Sequence, residues 1–343
     1  MYQLGDEHCS LSGSANRRIG RRLRVDVDSR AAGRKPRSLV VFANPLGNAV
    51  GDTLIATQHI QFLRDINGSE INVWTTNGDI WKAVEGEDIK TWFACDAKSL
   101  LDDFDLIILD WVNPGAEFTR FIFNSSCVVL YWESRTLDPH IKFSSGEIVC
   151  VRLDVNHNHP SRLSELYDEL GFVARPTRRQ VNKRDQIYFN PFASTAKKSF
   201  SLALTTALSG AIDKILPDSF TIILGPRPSV ISDNDELEFR KIEEFFKTLP
   251  AQRFRRHDGI PSFSEYVKVV HESRCTISPD TSTQHLAAIL GTPAIVFYPA
   301  GRGFNHYAFE WPDAVCFNFT VPEERELAGT CSITQLVLSR LLQ

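Results

Sequence analysis

From residue 38 onward, short apolar runs rich in β-branched and aromatic residues alternate with longer stretches in which apolar positions recur every three or four residues. The first have strand length and are bounded by turn residues, and the second carry the period of helices that bury one face. Runs at 39–43, 71–75, 105–110 and 127–131 predict a first set of strands, with intervals long enough for crossover helices. A polar, basic stretch at 175–185 interrupts the pattern, as surface connections between packed units do. Beyond it, 187–190, 220–224, 275–278 and 294–298 predict further strands, and 200–215, 236–247, 263–273 and 281–290 predict the helices between them.

Strands alternating with helices in this way build βαβ units around parallel sheets. The second half repeats the first, so the pattern predicts an α/β chain of two Rossmann-like, doubly wound domains. Their expected limits are 38–180 and 181–343, after a tail at 1–37. The length of 343 residues agrees, since domains hold roughly 100–200 residues each.

Composition narrows the classes. With 43% hydrophobic residues, 23% charged residues and a net charge of -4, the chain has an ordinary globular balance that does not favour nucleic acid as a partner. Apolar runs such as 106–109 and 294–297 fall far short of the roughly 20 residues that span a bilayer. The start lacks the apolar core of a secretory signal, so a cytoplasmic location is expected. The seven cysteines are scattered without zinc-site spacing and read as reduced thiols. Before Ser38 lie Arg17, Arg18, Arg21, Arg22, Arg24, Arg30, Arg34, Lys35 and Arg37. Such a basic tail is either a solvated extension or a peripheral contact with anionic lipid headgroups at a membrane.

Three segments carry candidate chemistry. The first, 278–293, ends a strand at Ser278, fills the turn with hydroxyl and acidic residues, and opens an apolar helix near Thr281. A helix start at the carboxyl edge of a sheet is suited to an anion. Thr281 and Gln284 also match a reciprocal capping box, which needs no ligand. His285 lies one turn further on, either facing the same opening or packed beneath the helix. The second segment, 44–53, follows the first strand. Its Gly47 and Gly51 allow a tight turn and close approach to a ligand. Asp52 stands at a helix start, where it is either a cap or a general base. Neither a dinucleotide fingerprint nor a Walker loop is present. The third segment, 190–199, follows the first strand of the second half. It offers the Ser194 and Thr195 hydroxyls and the Lys198 ammonium, which suit a diphosphate.

Together these segments resemble the heptosyltransferase-like glycosyltransferases of family nine, over about residues 39–297. Gly51 and Asp52 are similar to that family's Gly-Asp pair, whose aspartate is the catalytic base. Lys198 looks like its phosphate-binding lysine. Asp280, Thr281 and His285 resemble its Asp-Thr-Gly-x-x-His motif, with Ser282 in place of the glycine. The resemblance implies a GT-B fold with two domains facing across a cleft, and inverting sugar transfer without metal or cofactor. The donor is then a nucleotide-diphospho-sugar held by the second domain, and the acceptor a glycan or glycolipid such as lipopolysaccharide. Residues 225–229 lie where the family carries a carboxylate for the donor ribose, and Asp233, Asp235 and Glu236 are the nearby substitutes. A metal-dependent alternative would need an Asp-x-Asp at a strand end. Residues 103–105 and 233–235 have that spacing but read as caps and solvated turns. A catalytically silent relative that binds nucleotide or glycan as a regulatory or assembly partner, and an epimerase or hydrolase of the same fold, are the competing expectations. Trp74, Trp81, Trp92 and Trp111 are candidates for stacking on an acceptor sugar or for filling the core.

Overall fold

The computed structural model of the chain describes residues 21, 28, 31, 33–43, 50–66, 70–75, 77–92, 104–112, 128–132, 148–151, 167–168, 170–173, 181–228, 233–257, 262–298 and 315–342. The chain divides into two compact units, Met1–Thr177 and Arg178–Gln343.

In the first unit, β1 (Arg37–Ala43), β2 (Glu70–Thr75), β3 (Lys90–Trp92), β4 (Leu106–Val112), β5 (Val128–Trp132) and β6 (Ile148–Val151) form one sheet in the order β3-β2-β1-β4-β5-β6. All pairs are parallel. Helices α1 (Val50–Ala56), α2 (Gln58–Leu63) and α3 (Gly78–Glu85) are described with it. Val40, Phe42, Ile60, Phe62, Leu106 and Ile108 meet in its core, each about 1.5–3 kcal/mol more stable buried than exposed. Trp81 belongs to the same core at 0% exposure, which removes it from the candidates for stacking on a sugar. The side chains of Trp92 and Trp111 lie outside the described residues.

The strand β1 begins at Arg37, inside the segment expected to be tail. Just before it, Arg34 grips both carboxylate oxygens of Asp105 at 2.7 and 2.8 Å, and the Arg37 N–H donates to the same carboxylate at 2.8 Å. Asp105 is 3% exposed, so it is a buried ion-pair partner rather than the solvated turn residue its spacing suggested.

The second unit follows the same plan. Its strands are β7 (Gln186–Phe189), β8 (Thr221–Leu224), β9 (Phe254–Arg256), β10 (Cys275–Pro279), β11 (Ala294–Tyr298) and β12 (Cys316–Thr320), in the order β12-β11-β10-β7-β8-β9. Its helices are α4 (Leu202–Ile215), α5 (Asp233–Thr248), α6 (Phe263–Glu272), α7 (Ser282–Leu290) and α8 (Leu327–Leu341). Strands β7, β10 and β11 are buried along their whole length, as parallel strands covered on both faces must be. One face packs Ile187, Phe189, Ile277 and Phe297 with Leu208, Phe239 and Leu338 of the helices. Alternation along the strands turns Tyr188 the other way, where its ring lies 5.8 Å from that of Tyr266 on α6.

Both units therefore have the Rossmann strand order, with the fourth strand beside the first. Among the described residues no helix is long and apolar enough to cross a membrane.

Candidate functional site

Where the strand order reverses, the connections leaving neighbouring strands diverge to opposite faces and leave a crevice at the carboxyl edge. In the second unit that point lies between β7 and β10, which pair in register from Cys275 and Ile187 to Ile277 and Phe189. The segments leaving these two strands are those holding Ser194, Thr195 and Lys198 on one side and Asp280 to His285 on the other.

The loop after β7 is closed by its own hydrogen bonds. Phe200 N–H donates to Pro191 O at 2.9 Å, Lys198 N–H to Thr195 O at 3.1 Å, and Ala193 N–H to Ser199 Oγ at 2.7 Å. From α5, Asp235 accepts the Ala196 N–H at 3.0 Å, so this carboxylate shapes the loop instead of standing in a solvated turn. Ser194 and Thr195 are exposed and Lys198 is half-buried. Among the described residues no carboxylate comes within ion-pairing distance of Lys198.

Across the crevice, α7 begins without the expected capping box. Thr281 holds the extended N-cap conformation, yet its side chain makes no capping hydrogen bond. Gln284 is drawn elsewhere: Nε2 donates to Asp280 Oδ1 at 2.8 Å, and Oε1 accepts from the Tyr298 hydroxyl at 2.7 Å. By contrast, serine hydroxyls cap α4 and α6. The far end of α7 is closed by Gly291 at φ 66°, a left-handed conformation that suits glycine. His285 is packed beneath the helix at 5% exposure. Burial drives its pKa down to about 3, so at neutral pH the ring offers a phosphate no positive charge.

The two segments are tied by residues that sequence reasoning passed over. Asn190 Nδ2 donates to Thr283 Oγ1 at 3.1 Å, and the Tyr266 hydroxyl shares a hydrogen bond with the same oxygen at 2.7 Å. Burial pushes the Tyr266 hydroxyl up to about 12, with the Thr283 and Ser282 hydroxyls pulling the other way. Asn190 Oδ1 accepts the Phe192 N–H at 3.2 Å. The only hint in the sequence was the place of Asn190 at a strand end.

Beside the same loop opens a cavity of about 190 Å³, with Phe192, Leu224 and Phe246 as apolar lining and Arg227, Glu243 and Arg256 as charged lining. Arg227 holds both oxygens of Glu236 at 3.0 and 3.1 Å, and that hydrogen bonding lowers the Glu236 pKa. Glu243 bridges Arg256 at 3.3 Å and Arg227 at 3.6 Å. Of the acidic residues singled out near this segment, Asp235 is therefore held by the loop and Glu236 by Arg227 and Arg240. The side chain of Asp233 and the whole of Ser229 lie outside the described residues.

In the first unit the corresponding reversal lies between β1 and β4. Asp52 occupies the first turn of α1 with Gly51 before it, both half-buried. Gly47 lies outside the described residues.

No family model matches the sequence, and no curated protein matches it. The fold does have counterparts among solved structures. A glycosyl transferase of family 9 from Veillonella parvula superposes with a TM-score of 0.60 at 11% identity, over 88% of this chain and 97% of that one. The E. coli ADP-heptose lps heptosyltransferase II gives 0.57 at 13% identity, over 90% and 99%. The E. coli heptosyltransferase WaaC with ADP gives 0.59 at 13% identity, over 89% and 99%. The chain thus has the two-unit GT-B fold of the heptosyltransferase-like glycosyltransferases.

Proposed function

We propose that the protein is a glycosyltransferase of the heptosyltransferase type, which moves a sugar, heptose or a relative, from a nucleotide-diphospho-sugar to a glycan or glycolipid acceptor with inversion. The observation that carries this is the pairing of unlike groups at one crevice: the Lys198 loop leaving β7, and the start of α7, without a side-chain cap, leaving β10.

In this proposal the diphosphate takes the ammonium of Lys198 and the first-turn amides of α7, and Ser194 and Thr195 add hydroxyl donors. Asp280, its carboxylate steadied by Gln284, orients sugar hydroxyls. Asp52 takes the proton of the acceptor hydroxyl as that oxygen bonds to the anomeric carbon from the side opposite the diphosphate. The bond from the anomeric carbon to the diphosphate oxygen breaks, its electron pair leaves with the nucleoside diphosphate, and Lys198 stabilises the added charge. His285 enters as a neutral packing and hydrogen-bonding group, since burial holds its ring well below the usual imidazole range. No metal or cofactor takes part in these steps.

A nucleotide-release assay with a panel of sugar nucleotides and lipopolysaccharide-type acceptors tests the proposal. Release from one donor is expected, with Asp52→Asn cutting it by at least about 100-fold while nucleotide binding persists. Binding without release in the wild type would favour instead a silent relative, a reading supported by Ser282 in the first turn of α7.

A further inference from the structure

Thr283 is the second residue of α7 and is fully buried. It touches neither Lys198 nor Asp280 in any hydrogen bond among the described residues, yet its hydroxyl is the junction of three elements. Asn190, which follows β7 and opens the Lys198 loop, donates to it from Nδ2 at 3.1 Å. Tyr266, in the first half of α6, meets it at 2.7 Å. Asn190 cannot easily yield: its backbone N–H is held by Ile277 O of β10 at 2.9 Å, and its Oδ1 by Phe192 N–H at 3.2 Å. A hydroxyl has one proton and two lone pairs, so Thr283 can satisfy both neighbours at once. A valine of the same shape would satisfy neither.

We infer that the Thr283 hydroxyl, clamped between Asn190 and Tyr266, is a positioning latch that fixes the Lys198 loop against the start of α7 and so sets the width of the diphosphate site. The inference rests on the donor site proposed above and adds residues that do not touch the donor. It follows from what the latch joins. Asn190 belongs to one wall of the crevice and Thr283 to the other, and their hydrogen bond is a direct side-chain link between the walls. Polar groups paired in the interior hold one geometry, because any other leaves a buried donor or acceptor unpaired. The latch therefore acts on ligand affinity through the placement of Lys198 and the α7 amides, and not through contact.

The test is calorimetric titration of ADP, GDP, UDP and CDP into the full chain, well below the melting temperature, for wild type, Thr283→Val, Thr283→Ser, Tyr266→Phe and Lys198→Ala. Thr283→Val is expected to weaken the nucleotide that wild type binds by about tenfold, and Thr283→Ser, which keeps the hydroxyl, to restore affinity to within about threefold of wild type. Tyr266→Phe should fall between, and it serves the same purpose if Thr283→Val fails to fold. The discriminating readout is a double-mutant cycle: Lys198→Ala should cost several-fold less in the Thr283→Val background, since the latch acts through the lysine's position. A buried threonine that merely stabilises the fold would lower the melting temperature and leave the two affinity losses multiplying. Multiplying losses, or unchanged affinity in Thr283→Val, overturn the latch alone. Failure of wild type to bind any of the four nucleotides overturns the donor site itself, and the latch with it.

Discussion

Gly225 and Asn190 sit so close that a Cβ built on the glycine would lie 2.6 Å from Asn190 Cγ and 2.7 Å from its Oδ1. Real side chains do not tolerate such a distance, and here the neighbour is not a loose end. Asn190 is pinned by Thr283 and by the Phe192 N–H, so it cannot step aside without breaking one of them. The exit of β8 is thereby drawn against the exit of β7, which brings the loop bearing Arg227 beside the loop bearing Lys198.

Gly225→Ala should therefore act twice. Overpacking is expected to cost roughly 1–3 kcal/mol of unfolding free energy in urea titrations. Displacement of Asn190 should also weaken nucleoside diphosphate binding. An alanine variant with wild-type stability and affinity would show that the contact relaxes harmlessly.

The link from Asp280 through Gln284 to Tyr298 leads to a second prediction. Tyr298→Phe keeps the ring and removes the hydroxyl that donates to Gln284 Oε1. Loss of that buried hydrogen bond should lower stability by about 1–3 kcal/mol. It should also loosen the amide that orients Asp280, raising the donor KM several-fold. Steady-state kinetics at saturating acceptor would check this, and an unchanged KM would place Asp280 under other control.

His285 predicts a pH dependence of stability. Its pKa is about 3 in the folded chain, against 6.5 as its ordinary value. Between these values the unfolded chain binds a proton that the folded chain refuses. The stabilisation is thus complete above pH 6.5 and is lost as pH falls toward 3, at up to roughly 1.4 kcal/mol per pH unit. His285→Gln should flatten the fall in unfolding free energy between pH 6 and pH 4 by about that slope. Parallel wild-type and variant curves would contradict the burial-driven shift.

Much of the architecture was legible because parallel strands buried on both faces must be continuously apolar. The eight runs singled out in the sequence are the interior strands β1, β2, β4, β5, β7, β8, β10 and β11. The four that were missed, β3, β6, β9 and β12, are the edges of the two sheets. Edge strands tend to be short or partly solvated, which breaks the continuous apolar run. Lys90–Trp92 and Phe254–Arg256 span three residues each and carry basic side chains, and no residue of Cys316–Thr320 is fully buried. The site was legible in its segments and not in its wiring. Asp280 and Thr281 fall at a strand-to-helix turn as the spacing implies. That Gln284 turns away from the Thr281 cap toward Asp280 and Tyr298 depends on β11 lying beside β10, a contact no local pattern encodes. The same holds for Asn190, Tyr266 and Thr283, which are 17 and 93 positions apart in their two hydrogen bonds. It holds too for Asp105, whose partner Arg34 is 71 positions away.

The most direct test of the account is the melting temperature of the wild-type chain and of Lys198→Ala in the presence of ADP, GDP, UDP or CDP. One of the four, supplied at about a hundred times its Kd, should stabilise the wild type by about 2.7 kcal/mol, and the same concentration should stabilise Lys198→Ala by half as much or less. If none of the four raises the melting temperature, or if the rise is equal in both proteins, the crevice between β7 and β10 is not a nucleoside diphosphate site.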